Sequence, residues 1–200
     1  TDLQIAPLVL GGGTLGANGM DQERSFAVLD AYVAAGGTTI DTADIYAAHL
    51  PDHVGGESES MIGQWLAARG RRDDIQLVTE VGGPFGTAPG GLKADYIERS
   101  IDASLKRLRT DYIDVYLAHV DDPNTPQEET AEGFDRVVKS GKARHIGASN
   151  LSPDRLASAL AIADAHGLTR YAVFQPSYNL MERGFEQAYH DLCLAEDIGV

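Results

Sequence analysis

Short apolar, β-branched runs alternate along the chain with stretches in which apolar residues recur every three or four positions. The runs are LVLG (8–11), TTIDT (38–42), IQLVT (75–79), YIDVYLAH (112–119), ARHIGAS (143–149) and YAVFQ (171–175). Their shortness and β-branched content predict buried strands. Within 93–109, Ile97, Ile101, Leu105 and Leu108 fall on one helical face, and Phe26, Leu29 and Val33 do the same in the first helix. Ser152-Pro153-Asp154 reads as a helix start: a capping hydroxyl, a proline at N1 and an acid in the first turn. Gly36, Gly70, Gly141 and Gly167 stand where helices should stop.

The order is therefore strand–helix repeated six times, with Val200 placed to open a seventh strand. Such alternation implies a parallel sheet covered by helices. Two architectures compete, an open doubly wound sheet and a (β/α)8 barrel. A dinucleotide-binding open sheet carries G-x-G-x-x-G between its first strand and helix. Here the stretch is Gly11-Gly-Gly-Thr-Leu-Gly16, followed by several more residues before the helix, a poor match. No linker, low-complexity segment or charge block divides the chain, so residues 1–200 are read as a single domain.

Composition narrows the classes. The 200 residues are 43% hydrophobic, and no apolar run approaches the roughly 18 residues that cross a bilayer. The opening TDLQIAPLVL lacks the basic start of a signal peptide. Thirty acidic against 16 basic residues give a net charge of −14, which argues against nucleic acid or an anionic membrane as partner. Cys193 is the sole cysteine, and a reducing cytoplasm is the expected setting. It reads as a core residue without chemistry.

The ends of the strands carry the chemical clue. Asp41 follows TTI, with Tyr46 five residues on. Glu80 follows LVT, His119 follows VYLA, Ser149 and Asn150 follow HIGA, and Gln175 follows AVF. In a barrel these ends converge on one face, where barrel active sites lie. A tyrosine, a histidine and two carboxylates in one pocket suggest proton transfer. The chain has no G-x-S-x-G elbow, no H-E-x-x-H and no cysteine paired with a histidine. His49 and His53 are separated by Pro51, and no metal site is expected. His145, His166 and His190 fall in strand or helix patterns and read as packing or surface residues. The stretch 47–59 reads as a loop lining the pocket.

TTIDTADIY (38–46), GESE (56–59), YLAH (116–119), HIGASN (145–150) and VFQPSYNL (173–180) together resemble the aldo-keto reductases, in the family's order and along the whole chain. The style is similar to the bacterial and potassium-channel β-subunit-like branch. The resemblance implies a (β/α)8 TIM barrel that reduces small aldehydes or ketones with NADPH, NADH being possible, and without metal. It assigns catalytic roles to Asp41, Tyr46 and His119. Tyr46 would donate the proton to the carbonyl oxygen, and His119 would orient and polarise that oxygen. The nicotinamide carboxamide would be held by Ser149, Asn150 and Gln175, with Gly11 and Gly12 in the loop passing beside the cofactor.

Two departures stand out. The family's fourth catalytic residue is a lysine, and VTEVGG puts Glu80 there. A cation at that place lowers the tyrosine pKa; an anion reverses the sign, by about 4 kcal/mol for one charge at roughly 4 Å and an effective dielectric of about 20. Asp41 and Glu80 are also expected to share a proton, since two adjacent carboxylates do not both ionise cheaply. A non-catalytic cofactor-binding sensor or partner subunit is the alternative function. The second departure is length. A full barrel takes about 250 residues, so the chain is read as the first six βα units of a longer parent, with open sheet edges. Substrate identity and oligomeric state stay open.

Overall fold

The structure is a computed structural model describing residues 3–84 and 89–200. Six parallel strands form one curled sheet: β1 (Leu10–Gly11), β2 (Thr39–Asp41), β3 (Gln76–Val81), β4 (Ile113–Ala118), β5 (Ala143–Ser149) and β6 (Val173–Gln175). Their spatial order is their chain order, β1-β2-β3-β4-β5-β6. A doubly wound sheet reverses direction at a switch point, whereas a barrel steps always to the next neighbour. The fold is thus an incomplete (β/α) barrel, as the family resemblance implied.

Between the strands run α1 (Gln22–Ala34), α2 (Glu57–Arg69), α3 (Ala94–Leu108), α4 (Gln127–Lys139) and α5 (Pro153–His166). The capping expectations hold at α5, where the Ser152 hydroxyl accepts from Arg155 N–H and Gly167 closes the helix at φ 62°. After β6 the single helix expected is instead two short ones, α6 (Gly184–Ala188) and α7 (His190–Ala195), interrupted at Tyr189. Tyr189 stacks on Phe174 of β6, ring centroids 4.9 Å apart, and donates its hydroxyl to the Leu151 carbonyl. Cys193 is buried in α7, as expected. Gly199 forms one parallel bridge to Val173, where a seventh strand would start.

The period-2 alternation of each strand separates two environments. Leu77 and Val81, Tyr116 and Ala118, Ile146 and Ala148, and Phe174 point towards the helices and join the main core with Ile97, Ile101, Leu108, Trp65 and Phe134. Burying each such aliphatic side chain contributes about 1.5–3 kcal/mol. The opposite, concave face is lined by Val78, Val115, Leu117 and Val173. Glu80 shares its parity with Val78, so the strand period alone turns it into the barrel interior. The strand does not end before it: β3 runs on through Val81, so Glu80 lies inside the strand rather than just beyond it.

Candidate active site

The parallel register brings the polar strand ends into one ring. Gly11 pairs with Asp41, Asp41 with Val78, Glu80 with Leu117, and Ser149 with Gln175. His119 follows β4 directly, its N–H bonded to the Val81 carbonyl at 2.8 Å. Tyr46 sits in the turn after β2, and its hydroxyl reaches back to donate to Asp41 Oδ2 at 3.2 Å. The Tyr46 and His119 rings meet edge to face, centroids 6.2 Å apart.

On the far side, the Ser149 hydroxyl donates to the Gln175 carbonyl at 2.8 Å. Asn150, in the left-handed region at φ 54°, donates its amide to the His119 carbonyl and the Ser149 oxygen, each at 2.9 Å. Asparagine tolerates that backbone conformation better than most residues. Gly12 has no room for a side chain: a Cβ would stand 2.7 Å from the Asp41 carbonyl and 2.9 Å from Ser58 Oγ. Its N–H is bonded to that Asp41 carbonyl and its own carbonyl accepts from Ser58, which clamps β1 to β2 and α2. At Gly11 the same position is open. A cavity of about 370 Å³ opens there, lined by Gly11, Asp41, Val78, Val115, Val173 and Gln175 among others.

Burial sets the electrostatics. Asp41 is pushed up to about 6 by desolvation, against the lowering effect of hydrogen bonding by Tyr46 and Gln175. Glu80 is 1% exposed and pushed up to about 8 by desolvation, then by the negative charges of Asp41 and Asp44. The Tyr46 hydroxyl is pushed well above the usual phenol range, first by burial, then by Asp41 and Glu80. When ionised, Glu80 therefore acts on Tyr46 in the direction its sign requires, behind burial and Asp41. Burial also depresses His119.

Asp41 and Glu80 act on each other through charge, Asp41 being the second cause, after burial, of the rise at Glu80. Among the described residues the two carboxyls do not hydrogen-bond each other. Asp41 accepts from Tyr46, while Glu80 Oε1 accepts from Gln175 Nε2 at 3.3 Å. Glu80 Oε2 lies 3.1 Å from His119 Nδ1. Gln175, expected to face a carboxamide, here turns its amide to the two carboxyls Glu80 and Asp41.

Asp44 and Glu59 escaped the sequence reading, although both lie in quoted motifs. Asp44 is 2% exposed and pushed up to about 7 by desolvation and by Glu59, with Arg107 opposing. Glu59 accepts from Thr79 Oγ1 at 2.7 Å and from Arg107 Nε at 2.5 Å. The signal was the acid in T-A-D, three residues beyond the strand. The stretch 47–59 is not loop throughout: residues 57–59 form the first turn of α2, with Ser58 and Glu59 fully buried. Among the described residues no group of three or more His, Cys, Asp or Glu is placed to hold a metal ion, and no helix is long and apolar enough to cross a membrane.

Fold and site define a barrel-type α/β protein whose proton-bearing side chains gather at the C-terminal ends of its strands. The family model of the Aldo/keto reductase family matches residues 7–200, and the chain belongs to that family. It is 34% identical to a norsolorinic acid reductase of Emericella nidulans, over 99% of this chain and 53% of that protein. It is 30% identical to an aryl-alcohol dehydrogenase, designated NADP(+), of Phanerodontia chrysosporium, over 99% of this chain and 54% of that one. An uncharacterized oxidoreductase of Bacillus subtilis is 34% identical over 100% of this chain and 62% of its own length. The chain spans about half the length of the curated relatives it matches.

Proposed function

We propose that the protein is an NADP(H)-dependent carbonyl reductase in which Tyr46 donates the proton and His119 orients the carbonyl oxygen of a small aldehyde or ketone. NADH is the alternative donor, and the cytoplasm is the proposed location. The observation that carries the reading is the convergence of Asp41, Tyr46 and His119 beside Ser149, Asn150 and Gln175 at the ends of β2, β4, β5 and β6 and the turn after β2. The site suits a flat, amide-bearing ring. Gly11 leaves its side open, and the cavity there is walled by valines. Ser149, Asn150 and Gln175 supply hydroxyl and amide groups for a carboxamide. The nicotinamide supplies hydride when bound.

The chain's own groups manage the proton. Asp41 holds the Tyr46 hydroxyl, and a substrate oxygen near Tyr46 and His119 would receive hydrogen bonds from both. Aromatic aldehydes are the proposed substrate class, since one relative is named for aryl alcohols. NADPH oxidation in the presence of 4-nitrobenzaldehyde tests the reading. Turnover that Tyr46→Phe lowers by about a hundredfold or more is expected, and absence of turnover from the cofactor-saturated protein refutes it.

A second reading, a nicotinamide-binding sensor without turnover, is favoured by one observation: burial, Asp41 and Glu80 leave the Tyr46 phenol a poor acid. Cofactor-induced fluorescence quenching with no aldehyde-dependent NADPH loss would establish it.

A further inference from the structure

Glu80 Oε2 and His119 Nδ1 lie 3.1 Å apart, both buried, and neither has an aligned hydrogen-bond partner among the described residues. Two polar atoms so placed in a desolvated site are satisfied by a proton between them. Three arrangements meet that need: an imidazolium with a carboxylate, a neutral imidazole donating from Nδ1 to a carboxylate, or a neutral carboxyl donating to Nδ1.

The surroundings choose among them. Groups facing Glu80 are Asp41 and Asp44 from the β2 side, Tyr46 from the turn beyond, His119 from the end of β4 and the Gln175 amide from β6. The charges that act on it are acidic. His119 faces Tyr46 and Glu80, and Asn150 contacts its backbone carbonyl. A further carboxylate beside Asp41 and Asp44 is disfavoured, and burial disfavours an imidazolium. Gln175 then selects the oxygen. Its N–H occupies Oε1, leaving Oε2 to carry the proton.

We propose that Glu80 is a positioning residue: protonated on Oε2, it donates to His119 Nδ1 and fixes the imidazole as the tautomer with its proton on Nε2. That tautomer is a hydrogen-bond donor, the form needed to polarise a carbonyl oxygen, and in this role the inference rests on the carbonyl-reductase reading. Ionising Glu80 reverses it. Nδ1 then carries the proton towards the carboxylate, and Nε2 presents a lone pair that repels a carbonyl. With the Glu80 carboxyl held up to about 8, the donor form prevails at neutral pH and is lost above it. The Oε2 proton passes to Nδ1 and the Nε2 proton leaves to solvent, a net loss of one proton with no redox partner.

Long-range proton–nitrogen correlation spectra of the full chain, labelled with nitrogen-15 histidine, read the tautomer directly and need neither substrate nor cofactor. The Nε2–H signature is expected for His119 near pH 7, converting to Nδ1–H through about pH 8. In Glu80→Gln the amide oxygen can still accept from Gln175 and its N–H can donate to Nδ1, so His119 is expected to stay Nε2–H throughout. An Nδ1–H or doubly protonated His119 at neutral pH overturns the proposal, as does the same pH response in both proteins. If Glu80→Gln does not fold, the wild-type titration alone decides. Failure to reduce aldehydes would overturn the functional reading and leave the tautomer result standing; a wrong tautomer in an active enzyme would do the reverse.

Discussion

At position 80, Glu80→Lys exchanges a buried acid for a cation facing the Tyr46 phenol, and the proton donor becomes a stronger acid. A rise of about tenfold or more in kcat/KM for aldehyde reduction is expected, since each pKa unit is worth about 1.4 kcal/mol. The gain should be largest above about pH 8, where Glu80 carries its charge. An unchanged or lower rate there would refute the electrostatic account. Glu80 was legible as an oddity, because a carboxyl in an apolar strand is costly without a partner. Its partners were not legible. His119 is 39 positions away and Gln175 is 95, and only the strand register joins them to it.

The elements hold these side chains through close backbone contacts. At Gly147 in β5, an added Cβ would stand 2.3 Å from the Val173 carbonyl and 2.7 Å from Leu117 Cδ2. Gly147→Ala is therefore expected to push β6 away from β5, cost about 1–3 kcal/mol in denaturant unfolding, and loosen the Ser149–Gln175 contact. A midpoint indistinguishable from wild type would show that β6 is not held this way. Ser152→Ala removes the hydroxyl capping α5 and should cost about 1 kcal/mol, without altering the pH behaviour of the site. Helix existence and ends were readable because caps and closing glycines are local. Strand lengths were less so: β1 and β6 are shorter than their apolar runs, and β3 is longer at its C-terminal end. Pairing with neighbours, which apolar content does not report, decides where a strand ends.

Across the whole molecule, buried acids with raised pKa values make stability depend on pH. Asp41, Asp44 and Glu80 bind protons more tightly folded than unfolded. Their contribution is fully present below about 4 and is lost as pH rises through about 6, 7 and 8. His119, depressed by burial, acts oppositely, its contribution being lost as pH falls below its ordinary 6.5. Asp122 and Asp135, held low by their hydrogen-bonding neighbours despite some burial, contribute only above the ordinary carboxylate range. Between 6.5 and about 8 the raised acids dominate. Each proton lost there costs about 1.4 kcal/mol per pH unit, or roughly 3–6 °C in Tm. Tm is expected to fall over that range, and Asp44→Asn should flatten the slope. A Tm rising with pH would contradict the burial of these groups as protonated acids.

The sequence by itself determined the strand–helix alternation, the helix caps, the polar residues at the strand ends and the anomaly at position 80, because each is written in local spacing and side-chain chemistry. The tertiary structure decided between open sheet and barrel, through a strand order that never reverses. It also decided that Glu80 meets His119 and Gln175 as well as the charge of Asp41, and that Asp44 and Glu59 are buried acids. Those outcomes depend on register and desolvation, which arise only when distant strands lie side by side and exclude water.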